Sequence, residues 1–385
     1  MFDTLLQGGR VIDPIHGFDG PADVAIADGQ IAAIEPRLDG SSSRQTVDAC
    51  GLIVTPGLID LHVHLYWGVS HYGIDADTAC LARGVTTAVD AGSAGALTYP
   101  GLKRWIMDAS QTELYAFLNI AYLGMIGDQV GELEDLRFID DELALRVGRS
   151  SEIVGIKVRL DRVGPHAATL PLRRALTVAE RLHKPLMVHI GSARRMHVSL
   201  GDILEELRPG DIVTHMYHGK DGGLVGDDGL VCPAARAARR RGVLFDVGHG
   251  AGSYSFPVSR AALAQGFGPD VISSDLHTYS LVAPVRDLVT TLNKFLLLGL
   301  SLVDAIGMVT AAPARIIGQD ARIGHLGVGA EADIALLRLD SGERTYADCE
   351  GNRLSGGPGL TVVGALKRGT MVGLGPNSAL GVQTL

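Results

Sequence analysis

The stretch GLIDLHVHL, residues 57–65, ends an apolar run with two histidines, His62 and His64. Alternate residues of an extended strand share a face, so a His-x-His pair sets two imidazoles side by side. The residues leading into them, Leu52, Ile53 and Val54, then Leu58, Ile59 and Leu61, suit a buried strand. Two histidines facing the same way at a strand end are half of a metal site. Alone, the pair reads equally well as core or loop histidines, and the rest of the chain has to decide.

Outward from this stretch the middle of the chain has a rhythm. Further β-rich segments fall at 86–91, 114–121, 153–160, 185–190, 211–215, 243–248 and 271–275. Between them lie stretches with helical spacing, such as 170–182 and 233–241. Strands alternating with helices imply a parallel sheet. Eight of them predict a (β/α)8 TIM barrel over residues 55–321. An open doubly wound sheet is the rival, but no G-x-G-x-x-G follows the first strand.

The two ends read differently. Residues 1–54 and 322–385 offer short alternating strands joined by Gly and Asp turns. Neither end is large enough to bury a core comfortably, which predicts one small composite β-sandwich built from both. The chain of 385 residues is 46% hydrophobic and 20% charged, with a formal net charge of −9. Its acids are dispersed and no basic patch suggests nucleic acid. The four cysteines lack CxxC spacing, so no disulfide framework or thiolate zinc site is expected, and a reducing cytoplasm fits best. The first residues, MFDTLLQGG, lack the charge and apolar stretch of a signal peptide. The most apolar run, 295–303, is too short for a membrane span. The expected partner is a small-molecule substrate.

Barrel sites gather at the carboxyl ends of the strands. There the first strand presents His62 and His64, and the fourth Lys157 with Arg159 on the same face. The fifth ends in His189, the sixth in His215 and the eighth in Asp275. A lone histidine at such a position is most often a satisfied core residue. Five strands aiming ligand-type residues at one mouth favour a site. Imidazoles with a carboxylate suit zinc, although iron, cobalt, nickel and manganese accept the same donors. Six positions exceed one tetrahedral catalytic ion, so two divalent ions are expected. A pair about 3.5–4 Å apart can activate a bridging hydroxide and polarise a carbonyl. Asp275 can then move a proton to the leaving group.

The motifs GLIVTPGLIDLHVHL, Lys157, His189, His215 and SDLH, with TAAPARIIG (310–318) and GHLGVGAEADIALL (324–337), resemble the amidohydrolase superfamily over nearly the whole chain. The resemblance is nearest to its dihydroorotase-like and D-aminoacylase-like deacetylase branch. It implies His62 and His64 on one metal and His189 and His215 on the other. Lys157 would bridge them as an N-carboxylated lysine, with Asp275 completing the first site as acid and base; a homo-oligomer is also implied. A lysine in an apolar strand can instead simply snorkel or pair with an acid. A buried amine of depressed pKa, however, is nucleophilic enough to take up carbon dioxide.

Substrate contacts are expected from Arg159, whose guanidinium suits a carboxylate, and from His249 beside a glycine-rich turn. Asn119, Tyr217 and His218 follow strand ends, and His277 sits where it can orient Asp275. His71 is a weaker candidate; His16, His166, His183, His197 and His325 read as surface residues. A dihydroorotase of this family would carry an arginine just after the pair, as HxHxR. Here Leu65, Tyr66 and Trp67 follow, and no arginine comes before Arg83. The apolar trio suggests an acyl or aromatic group at the pocket. The expected reaction is hydrolysis of an N-acyl amino acid or an O-acyl 2-hydroxy acid. The alternatives are a cyclic-amide hydrolase of dihydroorotase or hydantoinase type and, from another class, a non-enzymatic assembly partner.

Overall fold

The computed structural model describes residues 1–129, 131–163, 169–372 and 382–384, so His166 lies outside the described residues. Its centre is a parallel sheet of seven strands in sequence order. These are Leu58–Val63, Val85–Gly95, Glu113–Asn119, Ile153–Arg159, Leu186–His189, Ile212–Thr214 and Leu244–Asp246. Side chains alternate between two apolar cores. Ile59, Leu61, Val89, Phe117, Met187 and Ile212 fill one, while Leu58, Ala88, Ala116, Leu186 and Val213 pack into another with helical residues. Helix Leu170–Arg181 turns Leu172, Ala175, Val178 and Ala179 inward, the spacing of an amphipathic helix, and exposes Arg173 and Arg181.

The expected eighth strand is a correction. Residues 271–275 form no regular strand. Single parallel bridges join Val271 to Asp246 and Leu276 to Val63, the two edge strands of the sheet. The chain enters the left-handed region at Asp275 (φ 47°), so a regular ladder cannot run through it. The buried Asp60 carboxylate supplies part of what is lost, accepting from the Ser274 amide at 3.0 Å and from the Ser274 hydroxyl.

Among the described residues, both chain ends build one mixed nine-stranded hydrogen-bonded sheet. The long strand Phe2–Asp13 explains the continuity. Its register shifts between Leu6 and Gly9, where Gly8 adopts φ 75°. Its first half pairs with Ser43–Asp48 and its second with Ile53–Pro56, and Ile53–Pro56 in turn pairs with Ile334–Asp340 from the far end of the chain. A short hairpin, Arg344–Ala347 with Arg353–Gly356, leaves this sheet and packs on the 254–256 segment. Among the described residues no helix is long and apolar enough to cross a membrane, and the four cysteines are free.

Candidate metal centre

The first strand does not simply alternate into the site. Ile59 and Leu61 face the inner core, whereas Val63 packs in the outer one. The register shift between Asp60 and Val63 changes the phase, as a bulge does when it re-aims a side chain. His62 and His64 thereby both line a cavity of about 500 Å³. The same cavity receives Lys157 and Arg159 from the fourth strand, His189 from the fifth, and His215, Asp275 and His277 from positions beyond the later strands.

Within it the donor atoms converge. Asp275 Oδ1 lies 3.3 Å from His62 Nε2 and 3.2 Å from His64 Nε2. Lys157 Nζ is 3.4 Å from His62 Nε2, and His215 Nε2 is 2.8 Å from His189 Nδ1. His62, His215 and Asp275 each offer a ligand atom within 4.8 Å of the others. The far ring nitrogens are anchored: His62 Nδ1 on Thr214 Oγ1 and His64 Nδ1 on Ser93 Oγ, both at 2.9 Å, and His215 Nδ1 on the Gly248 carbonyl at 2.6 Å. Such partners fix ring orientation and leave the opposite nitrogen facing the cavity.

Burial sets the charges. It holds His62, His189 and His215 well below the ordinary histidine value and His64 at about 3, so the imidazoles are neutral. It lowers Lys157 to about 8 and raises Asp275 to about 6. His189 Nε2 is buried with no hydrogen-bond partner among the described residues. Neutral imidazoles, a carboxylate and an orphaned buried nitrogen form a donor set that fits divalent ions.

Two of these residues, His215 (φ 72°) and Asp275 (φ 47°), sit in the left-handed region, a backbone cost of about 1–3 kcal/mol each that clusters at functional sites. Glycines make the close packing around them workable. A Cβ on Gly250 would collide with Asp275 Oδ2, and one on Gly92 (φ 90°) would lie 2.7 Å from Lys157 Cγ. Gly92→Ala is therefore expected to destabilise the fold by about 2–3 kcal/mol and to lower metal uptake by displacing Lys157. Thermal unfolding and metal analysis check this; an alanine variant with wild-type stability and metal content would refute it.

A family model described as amidohydrolase family matches residues 53–372. The chain belongs to the amidohydrolase family. A deacetylase of Agrobacterium fabrum is 36% identical over 330 residues, covering 84% of this chain and 80% of that protein. A structure titled as an adenine deaminase superposes with a TM-score of 0.89 at 29% identity, covering 97% of this chain and all of that one. One titled as a dihydroorotase does so at 0.88 and 32%, covering 97% and 99%.

Not every expected contact residue of this amidohydrolase reaches the cavity. Arg159 lines it, its guanidinium 3.5 Å from Glu132 and 3.7 Å from Asp161. His277 lines it as well, its Nδ1 accepting from the Tyr279 amide. Asn119, Tyr217, His218 and His249 are not among the lining residues. Asn119 donates to the Gly92 carbonyl and accepts from the Ala121 amide, bracing the loops. Tyr217 donates to the Phe267 carbonyl deep in the core, and His218 Nδ1 accepts from the Lys220 amide. His249 has both ring nitrogens engaged, with the Gly250 carbonyl and with Lys294.

The apolar trio is a correction too. Leu65 and Tyr66 turn into the core and Trp67 is 66% exposed, so none of them faces the cavity. His71 packs its ring on Tyr72. His16, His183 and His197 are exposed, and His325 is partly so.

Sequence reasoning missed several wall residues, among them Tyr72, Asp161, Arg195, Lys220 and Tyr279. It also missed the anchors. Asp90 accepts from the amides of Leu65, Gly92 and Ser93, and Asp246 accepts from Thr214 at 2.7 Å, behind His62. Asp246 ends its strand and Asp90 interrupts an apolar one, which was the available signal. The cations Arg195 and Lys220 carried none.

Proposed function

We propose that the chain is a binuclear-metal deacylase that hydrolyses an N-acyl amino acid or an O-acyl 2-hydroxy acid bearing a carboxylate. The observation that carries this reading is the convergence of six donor-type residues, His62, His64, Lys157, His189, His215 and Asp275, on one cavity. His62, His64 and Asp275 would hold one ion and His189 and His215 the other, with Lys157 between them as a carbamate and zinc as the metal. When bound, the ions supply an activated water and a Lewis acid for the scissile carbonyl. Asp275 takes a proton at its carboxylate and returns it to the leaving group. Residues 55–321 are read as a closed (β/α)8 barrel, and residues 1–54 with 322–385 as its companion β-domain.

Three cations on the cavity wall, Arg159, Arg195 and Lys220, favour an anionic substrate. Arg159→Met is expected to raise KM for carboxylate-bearing substrates about tenfold to a hundredfold with kcat largely kept; an unchanged KM would remove Arg159 from recognition. Deacylation is tested on zinc-loaded protein with a panel of acetylated D- and L-amino acids and 2-hydroxy acids. The 32% identity to a structure titled as a dihydroorotase favours ring opening as a second reading. Turnover of dihydroorotate or a hydantoin, with none of the acetylated panel, would replace the first reading by the second.

A further inference from the structure

Behind the cavity wall lies a buried polar cluster that the proposed chemistry does not use. Lys294, on the helix Leu288–Leu297, is 0% exposed. Its ammonium donates to His249 Nε2 at 2.6 Å, to the Pro284 carbonyl at 2.9 Å and to the Ala347 carbonyl at 2.8 Å. Three acceptors match the three N–H groups of an ammonium. With Nε2 accepting, His249 carries its proton on Nδ1 and donates it to the Gly250 carbonyl at 2.9 Å. Every bond in the chain then has a defined direction.

What the cluster holds is the wall itself. Ala251, Gly252 and Ser253 line the cavity. Gly250, in the left-handed region, donates its amide to the Ser274 carbonyl at 3.0 Å and packs directly on Asp275. From the other side the hairpin between Arg344 and Gly356 clamps the same segment. Cys349 donates its amide to the Tyr254 carbonyl and its thiol to the Gly250 carbonyl, and the Tyr254 ring stacks on His249 at 4.4 Å.

We propose that Lys294 is a positioning residue that ties the 249–253 wall, and through Gly250 the backbone around Asp275, to the hairpin between Arg344 and Gly356. A buried ammonium is costly to hold and a hydrophobic side chain could fill the space more cheaply. Its geometry, with one donor to each of three separate segments, accounts for its presence. The kinetic consequence rests on the deacylase reading; the mechanical one does not.

The test compares Lys294→Met, His249→Phe, the double variant and His249→Gln in the full-length, metal-loaded protein. Hydrogen exchange is followed over residues 247–256, with kcat and KM measured on the best acetylated substrate. Lys294→Met and His249→Phe should each speed exchange in this segment at least tenfold and lower kcat about tenfold or more, with KM within about twofold. The double variant should be no worse than the worse single one, because both break the same chain. His249→Gln, which can still accept from Lys294, should recover part of the loss. If Lys294→Met fails to fold, the Phe and Gln pair decides by the same readouts. Unchanged exchange, multiplicative losses, or Gln no better than Phe would overturn the proposal. A wild-type protein that deacylates nothing while these exchange differences hold would sink the deacylase reading alone.

Discussion

Lys157→Ala is expected to strip most of the bound metal and to lower kcat/KM by at least ~10³, about 4 kcal/mol of transition-state stabilisation. Lys157 is buried in an otherwise apolar strand, with its side-chain nitrogen 3.4 Å from His62 Nε2 and, among the described residues, no carboxylate in an ion pair with it. Burial lowers its pKa to about 8, so roughly a tenth is neutral amine at pH 7, far more than for an exposed lysine. That is the form that adds to carbon dioxide, releasing a proton and leaving a carbamate. Four neutral imidazoles and one carboxylate leave two dications poorly balanced, and a second anion at this nitrogen helps correct that. Short carboxylic acids added to the alanine variant should occupy the emptied space and restore part of the metal content and activity. Bicarbonate should assist metal loading of the wild type and do nothing for the variant. A variant with full metal content and activity, and no response to added acid, would exclude the bridging role.

The parallel rhythm of the sheet, the joining of the two chain ends and the convergence of six donor residues were legible because each rests on local pattern. Short, nearly continuous apolar runs mark Leu58–Val63 and Glu113–Asn119 whatever surrounds them. Less legible was anything set by backbone irregularity. The bulge that turns both His62 and His64 inward has no sequence mark beyond Asp60. The left-handed turn at Asp275 makes a strand-like segment, VISSD, irregular, and the side chain of a residue more than 200 positions away stabilises it. Side-chain direction after a strand end was the weakest inference. Leu65, Tyr66 and Trp67 follow the pair directly, yet the chain turns there and Tyr72, from farther along the same loop, faces the cavity instead. His249 failed for a similar reason: a ligand-type residue at a strand end can face the next layer of packing, here Lys294. The cations Arg195, on the short helix Ala193–Met196, and Lys220 were invisible because charge outside the strands is the ordinary condition of a surface.

Asp275→Asn is expected to separate the two duties assigned to this residue. Asparagine keeps an oxygen where Oδ1 now sits, 3.2 Å from His64 Nε2, but it cannot take up a proton in the course of turnover. The variant should therefore retain at least about half of its metal and lose about 10²–10⁴ in kcat, the range that a positioned general acid–base group contributes. KM should move by no more than about threefold, because Arg159 and the other wall cations, not Asp275, are assigned to the carboxylate of the substrate. A structural defect would look different: the residue is held at φ 47°, a conformation asparagine tolerates well, so thermal stability should fall little. Metal analysis, thermal unfolding and steady-state kinetics on one preparation distinguish these outcomes. A kcat within tenfold of the wild type at equal metal content would show that another group moves the proton. His277 would then be the next to replace, because it also lines the cavity, where burial lowers its pKa to about 4 against the opposing pull of the Asp275 charge.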